Sequence, residues 1–312
     1  MKKLTTTIGL LTCIASFAQQ DPQFTNFEQQ KYFFNPASLI QTNYICGQLI
    51  GRNQWNSFNG NPNTAFLGIQ YTPNNKNYFG IQFLKDNIAM QNSNFLKLSY
   101  AHKLILNNAQ ISLGGSANVL QTKWQSNFIT PDTPQWQDDA IPDVSYNKTK
   151  MDFDAGIFVK SNELYMGISA TQLSEADFSK NGVISYKSKR HYYVMAGYEK
   201  RFNWGSLEPK ILAKSDVAST QLDFQVQAWY NYNILLGFNY RISDAISPMI
   251  GIKYGILTAI YSYDITTSRI KNYSKGSHEI TLSFCLTKPK FIERHTDPRH
   301  LGNYDFGPRG KW

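Results

Sequence analysis

The sequence predicts an all-β chain, a transmembrane antiparallel barrel of about fourteen strands with both termini in the periplasm. Three observations predict it. Apolar and polar residues alternate at a period of two along segment after segment, and no convincing helical repeat occurs. Most segments have the roughly 9–11 residues that a tilted strand needs to cross a bilayer. The four longest connections all follow odd-numbered segments, as they do when long loops gather at one rim. Composition agrees: of 312 residues, 42% are hydrophobic and 14% aromatic but only 17% charged, against about 25% charged in an ordinary soluble domain. Beyond the N-terminus no stretch supplies the roughly 20 uncharged apolar residues of a membrane-crossing helix, which excludes a helical bundle.

The chain opens with Met1, Lys2 and Lys3, a mostly apolar run from Leu4 to Phe17, and Ser16-Phe17-Ala18 before Gln19. That is the layout of a secretory signal peptide over 1–18. A lipidated Cys13 after Leu10-Leu11-Thr12 is the rival reading; Thr12 suits it poorly, and cleavage there would strand the apolar Ile14 to Ala18. The mature chain then keeps Cys46 and Cys285 only, too few for a disulfide scaffold.

After a lead-in over 19–44, the barrel segments fall at 45–55, 63–72, 77–87, 92–106, 109–121, 150–160, 163–172, 190–202, 206–216, 219–231, 233–242, 246–255, 257–265 and 277–287. In 219–231, Leu222, Phe224, Val226, Ala228 and Tyr230 share one face, and Gln221, Asp223, Gln225, Gln227 and Asn231 the other. Phe79, Ile81 and Phe83 alternate likewise with Gly80 and Gln82, and Ile280, Leu282, Phe284 and Leu286 with Glu279, Thr281, Ser283 and Cys285. Turn chemistry separates the segments, as at Pro73-Asn74-Asn75 and Asn203-Trp204-Gly205. Tyr71, Tyr78, Tyr192, Tyr198, Tyr230, Tyr240 and Tyr263 near strand ends suit aromatic girdles at the two interfaces. The long connections, 56–62, 122–149, 173–189 and 266–276, would face outward. A soluble sandwich or propeller would scatter them and would put charge on the apolar faces.

One set of motifs precedes and surrounds the first strand. Gln20-Asp21-Pro22-Gln23-Phe24-Thr25 opens the mature chain, Asn35-Pro36-Ala37 follows, and then comes Arg52-Asn53-Gln54-Trp55-Asn56-Ser57-Phe58-Asn59-Gly60-Asn61-Pro62-Asn63-Thr64. In order and spacing they resemble the PorP/SprF family of outer-membrane proteins, which belongs to the type IX secretion and gliding machinery of Bacteroidetes. The resemblance implies a non-enzymatic barrel that assists secretion or surface anchoring of an adhesin-like client with a C-terminal secretion signal, in contact with periplasmic motor components and outer-membrane lipid. Family-motif and partner-contact candidates are Asn35, Pro36, Arg52, Gln54, Trp55, Phe58, Gly60 and Pro62.

Parity puts Arg52 and Gln54 on the face of Gln48, toward the lumen, where a guanidinium needs water or a partner. Trp55 and Phe58 would pack at the outer mouth, with Asn59-Gly60 as the turn and Pro62 ending it. These residues either fold and cap the barrel or touch a secreted partner. Residues 21–40, with Phe24, Phe27, Tyr32, Phe33 and Phe34, would plug or brace the periplasmic mouth. Cys46 and Cys285 lie on the first and last strands, which pair in a closed barrel; they form either a disulfide across the seam or two small side chains in a crowded interior.

Residues 288–312 form a basic, proline-punctuated tail. Lys288, Lys290, Arg294, Arg299 and Arg309 are its candidates for periplasmic docking to protein, anionic lipid or peptidoglycan. Nucleic acid is excluded by compartment despite the net charge of +9. No catalytic residues, cofactor or metal site are expected: the five histidines are dispersed and no nucleophile or metal motif occurs. Asp138, Asp139 and Asp143 read as a solvated acidic loop, and Asp152, Asp154, Asp223, Glu199, Arg201 and Arg241 as groups pairing across the lumen. The competing function is a passive porin or a transporter of small solutes or fatty acids.

Overall fold

The computed structural model describes residues 22–39, 44–57, 59–106, 109–125, 145–179 and 186–286. The segment 1–18 read as a signal peptide, Phe58, the loop residues Asp138, Asp139 and Asp143, and the tail with Lys288, Lys290, Arg294, Arg299 and Arg309 lie outside the described residues.

Alternation builds the strands β1 (Ile45–Asn53), β2 (Asn63–Tyr71), β3 (Asn77–Ile88), β4 (Gln91–Leu106), β5 (Ala109–Trp124), β6 (Tyr146–Ser161), β7 (Leu164–Thr171), β8 (His191–Tyr198), β9 (Lys200–Phe202), β10 (Gly205–Ser215), β11 (Thr220–Tyr230), β12 (Ile234–Arg241), β13 (Ala245–Tyr254), β14 (Leu257–Thr266) and β15 (Ser277–Leu286). β8 and β9 are successive pieces of one stave, both paired with β10, so the fifteen segments make fourteen staves. All pairings are antiparallel, and β1 pairs β15 from Ile45–Leu286 to Asn53–His278, which closes the sheet and leaves no edge.

Most boundaries agree with the sequence reading to within two residues, and the two larger departures each have a local reason. The segment 190–202 breaks at Glu199, beside Pro209 of β10, which has no N–H to give the ladder. The longest connection is shorter than expected because the β5–β6 ladder runs on to Trp124–Tyr146, whose rings stack at 5.9 Å.

Exposure follows the alternation. Leu236 is 61% exposed on the outer wall, whereas lumenal Gln225 and Asn239 are 0% exposed. Tyr71, Phe79 and Tyr100 form an outward aromatic row, with ring centroids 6.4 and 5.3 Å apart. Tyr78 does not join a girdle: parity turns it inward, where it is buried and Lys103 Nζ lies 5.4 Å from its ring centre. Glu199 and Arg201 also depart from the expected cross-lumen pairing, meeting each other at 2.7 Å in an exposed position beside the β8–β9 break.

The connections at 54–62, 125–145, 172–190 and 267–276 share one rim; the opposite rim carries short turns together with Ile45 and Leu286. Among the described residues no helix is long and apolar enough to cross a membrane. The interior is filled by residues 22–39. Their aromatic side chains pack with lumenal Phe66, Phe158, Tyr165 and Tyr193 in a hydrophobic cluster. Nearer the long-loop rim, Ala176 and Phe178 of the β7–β8 connection pack on Leu120 and Trp124 as a second cluster.

Candidate functional site: the plug and its seat

The plug folds around its Asn-Pro-Ala step. A short helix, α1 (Lys31–Phe34), ends at Asn35, and a single 3-10 turn follows over Pro36–Ser38. Asn35 caps that turn, its Oδ1 accepting from Ala37 N at 2.9 Å, and Pro36 occupies the first position, where no N–H is required. The other end of the same amide reaches the wall. Asn35 Nδ2 donates to the carbonyls of Ile157 and Ile168, each at 3.1 Å, one on β6 and one on β7.

The wall is shaped to admit this approach. A β-carbon on Gly156 would overlap the Asn35 amide, and one on Gly167 would come within 2.9 Å of its nitrogen. A side chain on Gly114, the cross-strand partner of Gly156, would overlap the backbone of Pro36 and Ala37. Gly68 faces Tyr32 and Gly80 faces Leu39 in the same way. Lumenal glycines on β2, β3, β5, β6 and β7 thus make a groove that admits the plug, its backbone at Gly114 and the side chains of Tyr32, Asn35 and Leu39 at the others.

The plug's first residues lie near the long-loop rim, away from the opposite mouth that the sequence reading gave the lead-in to plug or brace, and they are held there by charge. Arg52 of β1 donates to Asp264 Oδ2 at 2.7 Å, to Glu279 Oε2 at 3.2 Å and to Thr25 Oγ1 at 2.6 Å. Glu279 in turn accepts the backbone N–H groups of Thr25 and Asn26 at 2.7 and 3.0 Å. Arg241 pairs with Asp223 at 2.8 Å and donates to the Phe24 carbonyl at 3.2 Å. Gln54 Nε2 completes the set with a 3.3 Å bond to Gln23 Oε1. Arg52, Arg241, Asp223, Asp264 and Glu279 are all buried, so each ion has its partners inside a low-dielectric interior.

The two sequence motifs therefore meet: the opening Pro22-Gln23-Phe24-Thr25 is gripped by Arg52 and Gln54 of the hairpin motif. Asn35, Pro36, Arg52, Gln54 and Pro62 are buried, and what they touch is this chain. Pro62 accepts Gln54 N at 2.8 Å. Trp55 is half-buried at the long-loop rim with φ 52°, its N–H bonded to Ser277 Oγ at 3.0 Å. Gly60, at φ 82°, makes the turn and accepts Ala89 N at 2.9 Å. Asn56 and Ser57 bond to Gly276 and Tyr273, tying the first loop to the last.

Sequence reasoning missed Lys97, which bridges plug and wall. Its Nζ pairs with Asp154 at 2.7 Å, donates to the Phe33 carbonyl at 3.0 Å and lies 4.6 Å from the Phe33 ring centre. Its inward parity was the available signal. Cys46 and Cys285 are cross-strand partners joined in a disulfide, near the short-turn end of the seam.

A closed barrel with an apolar outer wall, a polar inner wall and an N-terminal segment filling its lumen is a plugged outer-membrane barrel. The chain belongs to the PorP/SprF family: the model for the type IX secretion system membrane protein PorP/SprF matches residues 16–284. It is an outer-membrane protein. No curated protein matches the sequence. Among solved structures, the outer membrane protein Omp33 of Acinetobacter baumannii is similar with a TM-score of 0.47 and 6% identity, over 79% of this chain and 100% of that one. A FadL homologue of Pseudomonas aeruginosa gives 0.46 and 9% identity over 82% and 94%, and the toluene transporter TodX of Pseudomonas putida 0.43 and 7% over 80% and 90%. Likeness at this distance says nothing about what this chain carries or binds.

Proposed function

We propose that the protein is a non-conducting barrel that assists secretion or surface anchoring of an adhesin-like client of the type IX secretion system. The long-loop rim faces outward and holds the client by protein–protein contacts. The short-turn rim and the basic tail, with Lys288, Lys290, Arg294, Arg299 and Arg309, face the periplasm and meet the motor components. One observation carries this reading: the plug occupies the lumen and is fastened by buried ion pairs and by the Asn35 amide, so the interior is spent on holding the chain's own segment. A porin or a solute transporter needs a continuous path, and the seated plug counts against one. With Arg52, Gln54, Asn35 and Pro36 turned inward, the contact surface falls to the exposed loops, including the half-buried Trp55.

The test pairs a gene deletion with planar-bilayer recording. A specific large surface protein is expected to be lost from the deletion strain while solute uptake stays normal, and the purified protein should show no steady single-channel conductance. Intact surface display in the deletion strain, or steady conductance from the intact protein, would overturn the reading.

A further inference from the structure

The plug has a direction, and its first residues bond to the long-loop ends of the strands around them. Gln23 Nε2 donates to Gln221 Oε1 at 3.1 Å, and Arg241 Nη1 and Gln54 Nε2 donate to Gln23 Oε1 at 3.4 and 3.3 Å. Gln221 is the second residue of β11, Arg241 the last of β12, and Gln54 follows the last of β1. Pro22 lines a small cavity with Ile88, Gln91 and His191, which end β3, begin β4 and begin β8. All of these positions belong to the long-loop rim.

From there the chain runs toward the opposite rim. The Gln29 carbonyl accepts Gln48 Nε2 at 2.6 Å, midway along β1. Glu28 accepts the hydroxyl of Tyr165, the second residue of β7, at the short-turn end. Lys31 pairs with Glu28 at 2.6 Å and lies 4.8 Å from the Tyr165 ring centre, so the bend of the plug is fastened there. The chain then returns to Asn35 between β6 and β7, and Leu39 lies against Gly80, the fourth residue of β3, on the way to Ile45.

Position and direction together leave one exit for the chain ahead of Pro22. Arg52, which grips Thr25, stands seven residues along β1 from Ile45, roughly 20 Å of strand. A chain leaving by the short-turn mouth would cover that distance through a lumen already packed with Phe24, Phe27, Phe33 and Phe34. An interior of that kind has no room for a second backbone and no partners for its N–H and C=O groups. The long-loop mouth, by contrast, is beside Pro22. We propose that the chain ahead of Pro22 leaves the barrel through the long-loop mouth, so that its amino-terminal end stands among the long connections and not beside Leu286 in the periplasm. That this rim faces outward rests on the function proposed above; the threading rests on the contacts of the plug. The rim that holds the client thereby gains a free chain end, which offers a partner backbone groups to pair with or an amine to capture.

The test places a short epitope at one of three sites in the full-length protein and probes intact and permeabilised cells with antibody. The sites are between Gln20 and Asp21, between Val217 and Ala218 in the long-rim turn after β10, and between Gly255 and Ile256 in the short-rim turn after β13. The first two should bind antibody equally on intact cells, and the third only after permeabilisation. Binding at 217–218 on intact cells, with the 20–21 site reached only after permeabilisation, would overturn the threading. Binding at 255–256 on intact cells, with the other two sites silent, would instead overturn the outward orientation of the long-loop rim. Should an insertion prevent assembly, Gln20→Cys and Val217→Cys replace the first two sites, labelled on intact cells with a membrane-impermeant maleimide. Equal labelling is expected, and labelling of Val217→Cys alone would overturn the proposal.

Discussion

Arg52 shows what one side chain carries here. It lies on the first strand opposite Glu279 of the last, and it also grips Asp264 and the plug residue Thr25. Replacing it with Met removes a cation from two buried carboxylates, a loss of about 3–5 kcal/mol, measurable by urea unfolding in micelles. Arg52→Lys should restore only part, because the ammonium puts its three donors on one nitrogen, whereas the guanidinium reaches Thr25 and Glu279 with Nη1 and Asp264 with Nη2. At the other end of the plug, Asn35→Ala leaves two strand carbonyls and the Ala37 N–H without their partner, at about 1–3 kcal/mol. Asn35→Asp should be worse than Ala, since it brings a carboxylate against the carbonyls of Ile157 and Ile168. The inward direction of Arg52 was legible from parity alone. Its partners were not, because a contact across the lumen joins residues more than 200 positions apart and leaves no local period to read.

The strands were the most legible elements, since each reads its own two faces from its own residues. Where the reading slipped, the cause lay on a neighbouring element: Pro209 of β10 interrupts the stave expected to run unbroken over 190–202, and Tyr146 extends β6 because Trp124 lies opposite. The plug was less legible. Its helix has four residues and its bonds run to the wall, so neither periodicity nor propensity marks it. A signal was nevertheless present in the barrel, in the glycines at inward positions 68, 80, 114, 156 and 167. Gly114→Val tests this groove as a unit. A valine there collides with the Pro36–Ala37 backbone, so the plug should lose its seat while the strands, whose ladder does not use the side chain, still close. The expected result is faster proteolysis within 22–39 and new ion conductance in planar bilayers, with an unchanged β-sheet circular-dichroism spectrum. A silent bilayer with wild-type protection would mean that the groove does not govern seating.

At the scale of the molecule, the seam between β1 and β15 is fastened along its length. The Cys46–Cys285 disulfide holds the short-turn end, the ladder from Ile45–Leu286 to Asn53–His278 runs between, Arg52–Glu279 pairs near the far end, and beyond it the first and last loops are bonded to each other. A barrel that released a client sideways through this seam would have to break all four. The seam is therefore a structural closure, and under the proposed function a client would be held at the rim. The double variant Cys46→Ser, Cys285→Ser separates the two roles. Loss of a crosslink between distant residues should cost about 2–4 kcal/mol, seen as a lower melting midpoint that matches the reduced wild type. Surface display of the client, measured on intact cells at a temperature where the variant stays folded, should be unchanged. If the seam were a gate, freeing it would alter display at that temperature even though the barrel is folded, and that outcome would reassign the seam from closure to exit.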